Sequence, residues 1–198
     1  MNLAKDLQQG LQALQLSLPD AIQNQLLNYL QLLAKWNRVY NLTAVRDETQ
    51  MVAKHLLDSL AVLSYVAGPP ILDVGTGAGL PGLILALARP HWQYVLLDCQ
   101  LKKVRFVRQA VTELGINNAE VVKTRIEDYQ PTTRFTTIIS RAYSSLPNFY
   151  HHTARLCATG GCLLAMKGTY PEIELREMLG LPVHIEILPL QVPQLLAQ

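Results

Sequence analysis

The chain has 198 residues, is 49% hydrophobic and 16% charged, and carries a formal net charge of +2. These values describe a globule of enzyme size and exclude a disordered or fibrous chain. No apolar run approaches the roughly 18 residues of a membrane span, and the start MNLAKDLQQG lacks an apolar signal core, so we expect a cytoplasmic protein. Cys99, Cys157 and Cys162 form no C-x-x-C pair and leave one thiol over, which fits a reducing compartment. Apart from His151 and His152, which as neighbours face different sides of a helix, the histidines are scattered, and no metal site is expected.

Leu3, Leu7, Leu11 and Leu14, and then Ile22, Leu26, Leu30 and Leu33, recur at helical spacing, separated by the break Ser17-Leu18-Pro19-Asp20. Asp47 to Gln50 resembles a capping box opening a third helix with Val52, Leu56, Leu60 and Leu63 on its apolar face. Gly68-Pro69-Pro70 closes this helical cap, residues 1–67. From residue 68 the pattern changes to short β-rich runs at 71–75, 92–98, 119–124, 135–140, 160–167 and 183–190, alternating with helices. Such alternation predicts an α/β domain over 68–198, with a doubly wound, Rossmann-like parallel sheet. Pro81 and Pro147 suit first-turn helix positions, and Gly115 suits a helix stop.

The most informative stretch is Ile71 to Gly82, ILDVGTGAGLPG, which reads as strand, tight turn and helix start. Gly77-x-Gly79-x-x-Gly82 matches the dinucleotide fingerprint, with Asp98 about 20 residues on as a ribose ligand. Two residues oppose a pyrophosphate. Pro81 has no N–H to give to a phosphate, and Asp73 would repel one while attracting a ligand that carries an ammonium and a sulfonium. Both point to S-adenosylmethionine, bound along Asp73, Gly75, Gly77 and Gly79.

In open α/β sheets ligands lie beyond the carboxyl ends of the strands. The strand ends therefore nominate Asp73 to Gly79, Asp98 for both ribose hydroxyls, Ile126 and Glu127 beside the adenine, Arg141 and Lys167.

Several segments together resemble one known family. NLTAVRD (41–47), KHLLDS (54–59), DVGTGAGLPG (73–82), ISRA (139–142) and MKG (166–168) are similar to those of the RsmG (GidB) methyltransferases, which modify guanine N7 in the decoding-centre loop of bacterial 16S ribosomal RNA. The resemblance runs from about residue 25 to 193. It implies that Gly75, Leu80, Ile126, Glu127 and Arg141 contact the cofactor and that the partner is 16S rRNA or the small subunit. Methyltransferases of this type usually end in a seventh strand antiparallel to the sixth, and here that strand is expected to be missing or short.

Guanine N7 has a lone pair and no proton, so no general base is required and the task is positioning and electrostatics. The segment after the fourth strand reads Ser140-Arg141-Ala142-Tyr143 rather than an N-P-P-Y type of amine-methylating site, and no cysteine sits where a pyrimidine-C5 nucleophile would. Arg141 and Lys167 are the positioning candidates. RNA contacts are expected from Arg46, Lys102, Lys103, Arg105, Arg125 and Lys167, with Arg108 and Lys123 nearby and Tyr143 placed to stack on a flipped base. The last thirty residues hold only Arg176 against Glu172, Glu174, Glu177 and Glu186, so a polyanion would meet the preceding part. The competing readings are a methyltransferase acting on another RNA or a small molecule, an NAD-dependent oxidoreductase, and a ribosome-binding protein without turnover. A monomer is expected.

Overall fold

A computed structural model describes residues 2–195. The first two helices are α1 (Leu3–Ala13) and α2 (Asp20–Tyr40). The Asn2 side chain caps α1, accepting from the N–H groups of Ala4 and Lys5 at 3.1 and 3.2 Å. Leu7, Leu11, Leu26, Leu30 and Leu33 are buried, whereas Leu3, Leu14 and Ile22 are partly covered at the margin of the same core.

The third helix is not continuous. It divides into α3 (Glu48–Met51), a π-helical turn Val52–Leu57, α4 (Asp58–Ala61) and a 3-10 turn Val62–Tyr65. Asp47 does cap it, accepting from the Thr49 N–H at 2.9 Å and its hydroxyl at 2.7 Å. The Gln50 side chain returns to the Asp47 carboxylate at 3.3 Å instead of to the backbone, so the box is half made. The wide turn has a use: the Lys54 carbonyl accepts from the side chain of Arg141 rather than serving only the helix.

Five strands follow: β1 (Ile71–Val74), β2 (Tyr94–Asp98), β3 (Ala119–Lys123), β4 (Phe135–Arg141) and β5 (Cys157–Met166). Their order is β3-β2-β1-β4-β5 and every pairing is parallel, with Asp73 opposite both Leu96 and Ile139. The connecting helices are α5 (Gly82–Ala88), α6 (Leu101–Glu113) and α7 (Leu146–Thr153), and α8 (Glu172–Glu177) comes after β5. Strand side chains alternate between two apolar layers. Ile71, Tyr94, Leu96 and Ile139 join a core built with α1, α2, α5 and α6, whereas Leu72, Val74, Leu97 and Ile138 pack toward Phe149 of α7 and Leu156. This is the Rossmann-like class of sheet, and the order reverses between β1 and β4, where such sheets bind ligands.

Gly115, with φ 65°, ends α6 as its position requires. Pro147 lies in the first turn of α7, while Pro81 is the residue just before α5. Buried Asn118, which the sequence pattern does not reveal, bonds through its amide nitrogen to the carbonyls of Ala86, Arg89 and Trp92 at 3.1, 3.2 and 2.9 Å. It thereby satisfies the end of α5 and the loop into β2. Asn118→Ala removes this donor from all three carbonyls, of which Arg89 O keeps the Trp92 N–H at 3.0 Å, and urea unfolding should show a loss of about 1–3 kcal/mol.

The expected sixth strand at 183–190 is corrected by the structure: that segment forms no strand, and among the described residues the sheet stops at β5, with no seventh strand. Pro182, Pro189 and Pro193 withhold N–H groups that a ladder would need. The segment is instead drawn to the N-terminal helices. Pro189 to Gln191 line a cleft with Ala13, Leu14, Leu60 and Tyr65, and the Gln194 amide donates to the Asp6 carbonyl at 2.7 Å. Among the described residues, no helix is long and apolar enough to cross a membrane.

Candidate active site

At the carboxyl end of β1 the chain turns on glycines at 75, 77 and 79, with φ of 69°, 61° and 88°. The end of β2 holds this turn: Leu97 O accepts from the N–H groups of Gly75 and Thr76 at 2.8 and 3.0 Å, and Asp98 Oδ2 accepts from Gly77 at 3.0 Å. Buried Asp73 closes it from below, its Oδ2 accepting from the Thr76 hydroxyl at 2.6 Å and the Gly82 N–H at 2.8 Å. From the helical cap, the Tyr29 hydroxyl donates to Ala78 O at 2.7 Å.

The glycines divide by purpose. A Cβ on Gly75 would meet nothing within 4 Å, and one on Gly77 only Gly75 O at 3.8 Å, so the backbone there is open to a ligand. A Cβ on Gly79 would lie 2.9 Å from Leu83 Cβ, and one on Gly82 would lie 2.4 Å from Leu96 Cδ2 and 2.7 Å from Asp73 Cβ. These two permit helix and strand to touch. Leu80 belongs with them, since its side chain is buried in the core and its N–H donates to Thr76 O at 2.8 Å. Gly82→Ala should therefore cost about 1–3 kcal/mol in denaturant unfolding through overpacking.

Asp73 is the most perturbed carboxylate of the site. Burial pushes its carboxyl up to about 6, against the opposing pull of the bonds from Thr76 and Gly82 and the charge of Arg141. Its second oxygen, Oδ1, is buried with no partner among the described residues. Asp98 is also buried, accepts from the Gln100 N–H at 2.8 Å through Oδ1, and has Lys103 Nζ 3.8 Å from Oδ2. Each of its oxygens keeps a lone pair for a ribose hydroxyl.

Arg141, at the end of β4, is fixed through Nη1, which donates to Asp58 Oδ2 at 2.9 Å and to Lys54 O at 3.0 Å. This bond pair joins the sheet to the π-helical turn, through Lys54, and to the first residue of α4, Asp58. Inside that turn, buried His55 shares a 3.0 Å hydrogen bond with the Thr43 hydroxyl, which also accepts from the Val45 N–H. Burial, and next the Arg141 charge, push His55 down to about 4, so it is neutral at physiological pH and adds no second cation beside Arg141. Asn37 secures the same loop by accepting from the Thr43 N–H at 2.9 Å. The quoted segments NLTAVRD, KHLLDS and ISRA thus meet in one place. Asp58, His55, Thr43 and Tyr29 carry no sequence signal of their own beyond membership of those segments or of a helix face.

Ile126 and Glu127 form a 3-10 turn, Ile126–Asp128, beyond β3. Two other candidates have partners that alter their reading. Lys167 is neutralised by Glu174, at 2.9 and 2.7 Å to its two oxygens, and Glu174 also accepts from the Leu146 N–H at the start of α7. Tyr143 is half-buried, packed on Phe149 with ring centroids 5.4 Å apart and bonded through its hydroxyl to His152 Nδ1 at 2.8 Å. Lys102 donates to Tyr40 O at 3.1 Å, and Arg46 to the Asn41 side chain at 3.3 Å, both at the surface. Arg105 and Arg125 are exposed and have no bonded partner among the described residues. A cleft of about 620 Å³ lined by Pro70, Tyr94, Asn118, Tyr129 and Phe135 lies at the amino ends of the strands, the wrong end of the sheet for this chemistry.

Comparison with known proteins settles the family. The family model GidB, rRNA small subunit methyltransferase G, matches residues 22–197. The chain belongs to the GidB family. A relative from Nitrosococcus oceani is 49% identical over 195 residues, covering 97% of this chain and 90% of its own. Relatives from Laribacter hongkongensis and Nitrosospira multiformis are each 47% identical, covering the whole of this chain and 96% and 95% of theirs. All three are named ribosomal RNA small subunit methyltransferase G.

The cofactor of a GidB methyltransferase, S-adenosylmethionine, fits the residues present. Among the described residues Asp73 Oδ1 is a buried acceptor without a donor, the backbone at Gly75 and Gly77 is open, and Asp98 retains acceptor capacity at the end of β2, the strand next to β1.

Proposed function

We propose that this chain methylates N7 of a guanine in the decoding-centre loop of small-subunit ribosomal RNA, acting as a monomer. The observation that carries the reading is the turn after β1, in which a buried, half-satisfied carboxylate lies beneath two glycines open to a ligand. S-adenosylmethionine supplies, when bound, an electrophilic methyl group.

The chain's own residues do the rest. Asp73 Oδ1 receives the ammonium of the cofactor's methionine part, Asp98 accepts the ribose hydroxyls, and the Ile126–Asp128 turn flanks the adenine. Arg141, with Nη1 committed to Asp58 and Lys54, keeps its remaining N–H donors for the ligand side. N7 needs no proton removed, so a site that offers placement and charge without a base–nucleophile pair is sufficient.

Lys103 and Lys167 each face a carboxylate, which shifts the expected weight of RNA binding to Arg46, Lys102, Arg105 and Arg125. These are surface cations of the kind that neutralise phosphates. The test is tritiated methyl transfer to small ribosomal subunits, transfer RNA and small-molecule pools in parallel. Label in the subunits alone is expected; label in either other pool instead would refute the assignment of acceptor.

A further inference from the structure

The turn assigned to the adenine is held from outside by a residue that belongs to neither strand. Arg155 follows α7, in the 3-10 turn Ala154–Leu156, and its Nη2 donates to the carbonyls of Ile126 at 2.7 Å, Tyr129 at 3.0 Å and Glu127 at 3.3 Å. One guanidinium nitrogen thus gathers three carbonyls of a single short turn. With the carbonyls drawn to that side, the N–H groups of Asp128 and Tyr129 close the turn on Arg125 O and Ile126 O, each at 3.2 Å. The N–H groups of Ile126 and Glu127 have no acceptor among the described residues. A second tie comes from His152, also on α7, whose Nε2 lies 3.7 Å from Glu127 Oε1 while its Nδ1 bonds to the Tyr143 hydroxyl at 2.8 Å.

We propose that Arg155 is a positioning residue for recognition of the cofactor's adenine, orienting the Ile126–Asp128 turn so that its unpaired N–H groups and not its carbonyls meet the base edge. The inference rests on the reading that this turn flanks adenine. An edge of N–H donors suits the acceptor N1 of adenine, whereas hypoxanthine carries a proton on N1 and a carbonyl in place of the 6-amino group. All three contacts come from Nη2, at the end of the long arginine side chain, so the shorter lysine, whose Nζ also carries N–H donors, should keep only part of them.

The experiment is calorimetric binding of S-adenosylhomocysteine and S-inosylhomocysteine to the full chain, as wild type, Arg155→Lys and Arg155→Met, with thermal melting to confirm folding. The ratio of the two affinities cancels any general loosening of the site, which a purely structural role would produce. Wild type should prefer the adenosyl compound by about tenfold or more, Arg155→Met should lose most of that preference, and Arg155→Lys should fall between. A preference in Arg155→Met equal to that of wild type would overturn the role of Arg155 while leaving the adenine reading intact. No preference in wild type would overturn the adenine reading, and the inference with it.

Discussion

Arg141→Ala should lower methyl transfer to ribosomal RNA by about 100-fold, because it removes the side chain that ties the π-helical turn and the start of α4 to the end of the strand at the sheet's reversal point. The guanidinium is about a quarter exposed and Asp58 about a fifth, with side-chain values of 26% and 20%. Screening by water therefore limits the stability cost to about 1–2 kcal/mol, well below that of a fully buried pair. The measurements are single-turnover methylation and urea unfolding on the same preparation. Asp58→Asn offers a comparison: it keeps an acceptor for Nη1 and should lose less activity than Arg141→Ala. A variant that lost stability but methylated at the wild-type rate would show that the tether serves only the fold.

The second large effect concerns Asp73. In Asp73→Asn the side-chain carbonyl takes the place of Oδ2, where Thr76 and Gly82 both donate, so the turn survives. The amide group then occupies the Oδ1 position and, under the proposed binding of the ammonium there, would present hydrogens to it in place of a negative charge. Affinity for S-adenosylhomocysteine should fall about 10- to 100-fold with little change in unfolding free energy. The pH dependence has a fixed sign. Because burial lifts the Asp73 carboxyl from 3.8 to about 6, between these two values the folded protein holds a proton there that the unfolded chain has already released. Stability from this group is full below the unfolded value and declines as pH rises through about 6. Ligand affinity moves the opposite way, rising through about 6 as the carboxylate becomes available to the ammonium. In Asp73→Asn both trends should disappear, which titration calorimetry between pH 5 and about 7.5 would register.

The parts of the site that were legible in the sequence are those written in short segments. ILDVGTGAGLPG carries its own strand, turn and helix start, and Asp98 stands at the end of the next apolar run. Bonds across long separations left no local trace. Arg141 and Asp58 are 83 residues apart and Tyr29 and Ala78 are 49 apart, and each side chain alone reads as an ordinary strand end or helix face. Apolar spacing predicts a regular third helix because it cannot distinguish an α-turn from a π-turn that gives a carbonyl to a distant arginine. At 183–190 the alternation of His184, Ile185, Glu186 and Ile187 imitates a strand, but the flanking prolines and the pull of the N-terminal helices prevail. Lys167 stands at a strand end as the topology demands, yet Glu174 seven residues on claims its charge.

Methyl transfer to guanine N7 is read out by nucleoside analysis of the RNA product. Small subunits lacking the modification are incubated with the purified chain and methyl-labelled S-adenosylmethionine, and the RNA is digested. Label is expected in 7-methylguanosine alone; label in an exocyclic-amine or pyrimidine product, or none from a chain that binds S-adenosylhomocysteine, would refute the assignment.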